Sequence, residues 1–187
     1  MITQRNWRVL EEKLIPSKRY SKQKAITVLK ELCERNVIEH SMAVSRYAVE
    51  IAEKLRDSGL EVDLDSVETG ALLHDIGRCK SHDIDHGVRG AEILEKIPEL
   101  SAYSRYCLTH IGAGISRKEA VELGLPPGDY MPSTIEEKIV AYADNITEGC
   151  KKVDISVTVE KMKKALGEKH PAIARVKELS EYIASFL

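Results

Sequence analysis

With 187 residues, a formal charge of −2, 43% hydrophobic and 31% charged side chains, the chain has the make-up of one soluble globular domain. That composition excludes a disordered or fibrous protein, and the near-balanced charge argues against a surface dedicated to nucleic acid. No apolar run approaches the about 18 residues that cross a bilayer, and Met1–Asn6 lacks a signal-peptide core, so a cytoplasmic protein without a membrane partner is expected.

Residues 1–35 read as an N-terminal helical extension. Lys and Arg outnumber acids over the first thirty residues, but Leu10, Leu14, Ile26 and Leu29 interleave at helical spacing, so the charges are read as a solvated helix face. From Val37 to Leu55, the residues Val44, Tyr47, Ala48, Ile51 and Leu55 recur every three or four positions with His40 on the same stripe, and Asp57-Ser58-Gly59 stops the helix. Asp65-Ser66-Val67-Glu68 has the spacing of a capping box with Asp65 as cap, opening a helix that ends at His74-Asp75 with Gly77 as stop. Asp85 can cap a helix from His86 that ends before Pro98, and another covers Leu100 to His110, ahead of the Gly112-Ala113-Gly114 break.

Two further capping boxes follow. Ser116-Arg117-Lys118-Glu119 starts a short helix ended by Gly124, and Ser133-Thr134-Ile135-Glu136 starts a longer one through Asp144. The loop Leu125–Pro132 between them holds three prolines and cannot be helical. The tail carries two helices split at Gly167, with His170-Pro171 beginning the last. Ile155-Ser156-Val157 is open to a short strand, but no alternating run is long enough for a sheet. The expected fold is all-α: one domain, with a core over residues 36–150 and C-terminal helices over residues 151–187 packed on it. Cys33, Cys79, Cys107 and Cys150 are widely spaced without a C-x-x-C pair, which reads as free thiols in a reducing compartment.

Six histidines occur, and each alone is ambiguous. His40 on an apolar stripe reads by default as a hydrogen-bonded core residue. His82 lies in a polar turn and His170 before a proline, and neither is assigned a role. Asp144 is harder to dismiss. It sits among apolar neighbours in Ile139–Ile146, and its i±3 and i±4 positions are Val140, Ala141, Thr147 and Glu148, with no Lys or Arg. A buried ionised carboxylate needs a cation or several donors, and a metal is a natural compensator. Asp75 makes the same argument beside His74 at the end of an apolar helix. With His40, His86 and His110, these residues could hold one or two divalent metals.

The order His40, His74-Asp75, then Asp144 resembles the HD-domain superfamily of metal-dependent phosphohydrolases, and His74-Asp75-Ile76-Gly77 looks like its HDIG signature. The resemblance covers roughly residues 36–150 and implies an HD-type helical bundle in which His40, His74, Asp75 and Asp144 bind a first metal. His86-Gly87-Val88-Arg89-Gly90 is similar to the H-x-x-x-G step of the HD-GYP phosphodiesterases and other two-metal relatives, and His110 sits where they carry a histidine pair. This implies a second metal held by His86, His110 and a bridging Asp75. Ile111 replaces the second histidine of that pair and no GYP triplet follows, which places the chain outside the cyclic-di-GMP subgroup.

Imidazole and carboxylate without thiolate suit Mn, Fe, Co, Ni or Zn. Two such ions about 4 Å apart would polarise a phosphoryl group and acidify a bridging water. Asp75 is the expected catalytic residue. Arg78 and Arg117 are the candidate substrate-binding cations, with solvated surface as the equally weighted alternative. The expected function is metal-dependent hydrolysis of a small phosphate ester or anhydride, with nucleotides as the leading substrate class. A di-iron oxygenase and a non-catalytic nucleotide sensor are the alternatives. No base-reading motif is present, aromatic residues make up 5%, and the terminal helices leave a homo-oligomer open.

Overall fold

The computed structural model describes residues 18–187. Leu10 and Leu14, read above as part of a helical stripe, lie outside them. The described chain opens with α1 (Lys18–Leu32), α2 (Arg35–Asp57) and α3 (Leu64–Leu73). A single 3-10 turn (Ile76–Cys79) then leads to α4 (His86–Leu94), and a second (Ser101–Tyr103) runs into α5 (Ser104–Thr109). After α6 (Arg117–Glu122) and α7 (Ile135–Asn145) comes a two-stranded antiparallel ribbon, β1 (Thr147–Glu148) with β2 (Lys151–Lys152). The helices α8 (Ile155–Leu166) and α9 (Pro171–Ala184) close the chain.

The all-α expectation holds, and α3 shows why. Its residues Val67, Thr69, Gly70, Ala71, Leu72 and Leu73 are all buried, so it is covered on nearly every side. A helix apolar all round belongs at the centre of a bundle. Around it pack α1, α2, α5 and α7. The larger core joins Val44, Ala48, Ile51 and Leu55 of α2 to Ile139 and Val140 of α7 and to Ile173, Val176 and Ile183 of α9, so the C-terminal helices share it. A second cluster places Leu73 and Ile76 against Leu94 and Leu100. Leu73 is fully buried, and truncating it to Ala should cost about 2–5 kcal/mol.

Several local readings shift. The cap of α3 is Asp63, whose carboxylate accepts from the Ser66 N–H at 3.2 Å, and Asp65 lies in the first turn. There its charge suits the positive end of the helix without capping it. The cap of α7 is Thr134, accepting from the Glu137 N–H at 3.2 Å, because Ser133 is committed to the Glu137 carboxylate. Asp85 stands at the start of α4, but its carboxylate takes the Ser81 hydroxyl and the Arg89 guanidinium instead of a backbone N–H. The Ser116/Glu119 capping box forms as read. Ile155-Ser156-Val157 is the first turn of α8, capped by Asp154. No helix among the described residues is long and apolar enough to cross a membrane.

Candidate metal centre

Four helices, α2, α3, α5 and α7, and the start of α4 deliver the site. His74 is the residue immediately after α3, and its Nδ1 donates to the Ala71 carbonyl at 2.6 Å. His86 opens α4 with Nδ1 on the Asp83 carbonyl at 2.6 Å, and His110 follows α5 with Nδ1 on the Tyr106 carbonyl at 3.2 Å. His40 projects from α2, its Nδ1 on the Gly149 carbonyl at 2.8 Å, so the turn of the β1–β2 ribbon orients it. Carbonyls only accept, so each Nδ1 carries the hydrogen and each Nε2 presents a lone pair. Four imidazoles thus turn their Nε2 atoms inward, where they could hold a metal.

The glycines of the motifs let these elements meet. A Cβ on Gly77 would strike the His86 carbonyl oxygen and the Gly90 nitrogen, so only glycine allows α4 to lie against the turn after Asp75. A Cβ on Gly87 would come within 2.5 Å of the Cys107 carbonyl oxygen, which fixes α4 against α5. The two histidines that begin and follow these helices are brought together as a result.

The Nε2 atoms of His86 and His110 stand 3.1 Å apart. Two lone pairs at that distance repel unless a proton or cation lies between them. Asp75 Oδ1 is 3.3 Å from His86 Nε2 and 3.4 Å from His110 Nε2. Its Oδ2 faces the other way, 3.9 Å from His40 Nε2 and 3.8 Å from His74 Nε2. Asp144 Oδ1 completes that side at 3.0 Å from His40 Nε2 and 3.5 Å from His74 Nε2. Asp75 therefore lies between two groups of imidazoles. Three overlapping triads, His40/His74/Asp75, His74/His110/Asp144 and Asp75/His86/His110, have ligand atoms within 4.8 Å of one another. Two buried atoms in this cluster, His74 Nε2 and Asp75 Oδ1, have no hydrogen-bond partner. Such orphaned atoms are costly in a protein interior, and a divalent cation would satisfy both.

The electrostatics agree. Burial disfavours the Asp75 carboxylate, yet His74, His110 and His86 hold it below the usual range. Burial likewise opposes ionisation of Asp144, but His40 and His74 lower it. Burial opposes a charge on His74, while Asp75 and Asp144 outweigh it and raise the imidazole to about 9. Burial depresses His110.

A cavity of about 320 Å³ opens onto the cluster, lined by Asn36, Val37, His40, Asp75, Arg78, His82 and Gly149. Arg78 lies in it and donates from Nε to Asp75 Oδ2 at 2.6 Å. Arg117 is exposed at the start of α6 and does not line this cavity. The sequence reading left His82 without a role, but it stands in the cavity wall. Asn145, also unassigned, donates from Nδ2 to the Gly112 and Ala141 carbonyls, tying the residue beside Asp144 to the loop beyond His110.

A model of the HD domain family matches residues 37–149. The chain belongs to the HD domain family. HD domains bind divalent metals, and the family is in general one of metal-dependent phosphohydrolases. A protein of Methanocaldococcus jannaschii whose function is uncharacterized is 50% identical over 165 residues, which is 88% of this chain and 98% of that protein. The tRNA (cytidine(56)-2'-O)-methyltransferase of Picrophilus torridus is 40% identical over 149 residues, 80% of this chain but 42% of the methyltransferase. Ribonuclease Y of Thermosipho melanesiensis is 30% identical over 133 residues, 68% of this chain and 22% of the ribonuclease. No solved structure matches.

Proposed function

We propose that this HD domain protein hydrolyses a phosphate ester or anhydride, with a nucleotide as substrate. The observation that carries the proposal is the convergence of four Nε2 lone pairs and two carboxylates, two of whose atoms are orphaned, at the floor of an open cavity. On this reading His40, His74, Asp144 and Asp75 Oδ2 hold one divalent ion of Mn, Fe, Co, Ni or Zn, and His86, His110 and Asp75 Oδ1 hold a second. When bound, such ions supply Lewis-acid polarisation of a phosphoryl oxygen and a water of lowered pKa. The backbone carbonyls on each Nδ1 keep the rings in place, so the ligand geometry is set before substrate arrives. Asp75, shared by both halves, is the catalytic carboxylate. Arg78 directs an anionic phosphoryl group towards that floor, and the buried ligand cluster keeps bulk water from its inner side.

The names of two relatives, a tRNA methyltransferase and ribonuclease Y, favour a second reading in which the phosphodiester belongs to an RNA. Arg117 fits that reading better, because from outside the cavity it can meet only a substrate that extends beyond it. The test is a panel of nucleoside mono-, di- and triphosphates and short oligoribonucleotides, incubated with Mn, Co, Ni or Fe. Metal-dependent release of phosphate or nucleotide, stopped by a chelator, is the expected result. No hydrolysis with any metal, together with oxygen consumption by an iron-loaded protein, would replace it with oxygenase chemistry.

A further inference from the structure

We infer that Asn145 is a positioning residue for the second metal half-site: together with Arg175 it clamps the glycine loop after His110 and so fixes where that imidazole stands. This rests on the two-ion reading above and deepens it by naming what sets one half of the site. The starting observation is that His110 is the least anchored of the four imidazoles. Its Nδ1 lies 3.2 Å from the Tyr106 carbonyl, whereas the other three make this contact at 2.6, 2.6 and 2.8 Å. That length is at the long end of the N–H···O range. His110 also follows α5, a helix of six residues, which has little rigidity of its own. The chain then turns through Gly112-Ala113-Gly114, with Gly112 at φ +60° and Gly114 at φ +95°. The turn bond from the Gly114 N–H to the Ile111 carbonyl, at 3.0 Å, closes the loop on itself but does not orient it against the rest of the site.

The loop's carbonyls are held from outside instead. Buried Asn145 donates from Nδ2 to the Gly112 carbonyl and, at 2.7 Å, to the Ala141 carbonyl one turn back on α7. Both partners only accept, so the amide nitrogen is the one end of this side chain that can face them, and both its hydrogens are used. An aspartate of the same size would set oxygen against oxygen. Because Asn145 adjoins Asp144, the bond ties the loop after His110 to the helix that carries the carboxylate of the other half-site. Arg175 of α9 holds the far end of the loop, donating from Nη2 to the Gly114 carbonyl at 3.0 Å and to Glu119 Oε1 at 2.8 Å. From α8 the Thr158 hydroxyl donates to the Asn145 carbonyl at 2.6 Å and closes the joint. Thr158 and Arg175 both lie beyond residues 37–149, the stretch matched by the HD family, so the C-terminal helices help to support the site. What they support is a narrow placement: His110 Nε2 stands 3.1 Å from His86 Nε2 and 3.4 Å from Asp75 Oδ1. A small drift of the loop would take one ligand out of that group and leave His40, His74 and Asp144 where they are.

The test is calorimetric titration of the full, metal-free chain with Mn, which reads each ion separately and needs no turnover. Wild type should take two ions. Asn145→Ala should keep one of them within about threefold of its wild-type affinity and weaken the other about tenfold, the low end of what residues that orient metal ligands contribute. The control is Leu55→Ala, which opens a cavity in the core about 22 Å along α2 from His40. It should lower Tm at least as much as Asn145→Ala does and leave both affinities at the wild-type values, which separates positioning from general loss of stability. If Asn145→Ala does not fold, Arg175→Met decides: it keeps an unbranched apolar side chain, frees the Gly114 carbonyl, and should weaken the same single ion about threefold. Two ions weakened alike, or neither weakened, would overturn the inference while the two-ion site stands. A wild-type chain that takes a single Mn would overturn it together with the two-ion reading. Selective loss of one ion in a protein that hydrolyses no phosphate would uphold the positioning role and remove the proposed function.

Discussion

Glu137 and Asp75 are both buried carboxylates, yet their partners differ in kind. Glu137 accepts from Arg105 Nε and Nη2 at 3.2 and 3.3 Å, from the Ser133 N–H at 2.7 Å and from its hydroxyl at 3.1 Å. Burial resists its ionisation, and those donors still hold it below the usual carboxylate range. Arg105 also donates to the Asp129 and Met131 carbonyls, pinning the proline-rich loop to α7. Every demand in that region is met by protein. Asp75 has one N–H donor, from Arg78, and otherwise faces imidazole nitrogens whose hydrogens point away. The first region is electrostatically closed and holds the fold; the second is open, with buried atoms that a cation could satisfy. Burial of a carboxylate does not by itself distinguish structure from function, but incomplete satisfaction does.

The largest expected contrast is in activity. Asp75→Ala should lower metal-dependent hydrolysis by at least about 10³-fold by removing a ligand shared by both halves, whereas Arg78→Ala should cost about 10²-fold through lost charge stabilisation. Initial rates at saturating metal check this, and an active Asp75→Ala beside a dead Arg78→Ala would reverse the roles. Next, the double variant His86→Ala/His110→Ala should bind one equivalent of metal where wild type binds two, as read by elemental analysis. Equal loading would make those histidines core residues and the site mononuclear.

Smaller effects belong to the closed region. Arg105→Ala strips Glu137 of two donors and should destabilise the fold by about 2 kcal/mol, lowering Tm by about 6 °C, with metal content unchanged. Loss of metal in that variant would mean the two regions are not separable. Glu119 offers a pH test. Burial raises its pKa, but hydrogen bonds from Ser116 and Arg175 outweigh this and hold it down at about 2. A depressed folded value contributes stability above the unfolded pKa of about 4.3, lost as pH falls towards 2. Glu119→Gln should flatten the acid limb of stability against pH between those values, followed by denaturant melts. The smallest effect is Lys118→Ala, which removes an exposed 3.8 Å pair with Glu122 and should change stability by less than about 0.5 kcal/mol.

Among the candidate ligands, Asp144 and His74-Asp75 stand out in sequence through local anomalies, a carboxylate without a nearby cation and a His-Asp-x-Gly ending on an apolar helix, whereas His40, His86 and His110 gain their roles only through the family resemblance. The helices were legible for a similar reason, since apolar spacing is local. Caps were less so. Asp63 and Asp65 stand two residues apart at the start of the same helix, and only the path of the incoming chain decides which one is the cap. Thr134 displaces Ser133 because Ser133 meets Glu137 in space. The β1–β2 ribbon has two residues per strand, too few to show alternation, yet its Gly149 carbonyl orients His40. The Arg105–Glu137 pair spans 32 residues and the Arg175–Glu119 pair 56, so no local pattern announces either. The capping box at Ser116 was correctly read, but its direction relative to the cluster is tertiary, and Arg117 ends outside the cavity.

The most direct measurement is anomalous diffraction from crystals of the full chain grown with Mn. Two peaks are predicted, one among His40, His74, Asp144 and Asp75 Oδ2, the other among His86, His110 and Asp75 Oδ1. Absence of any peak at these nitrogens, with Mn bound elsewhere or not at all, would contradict the account.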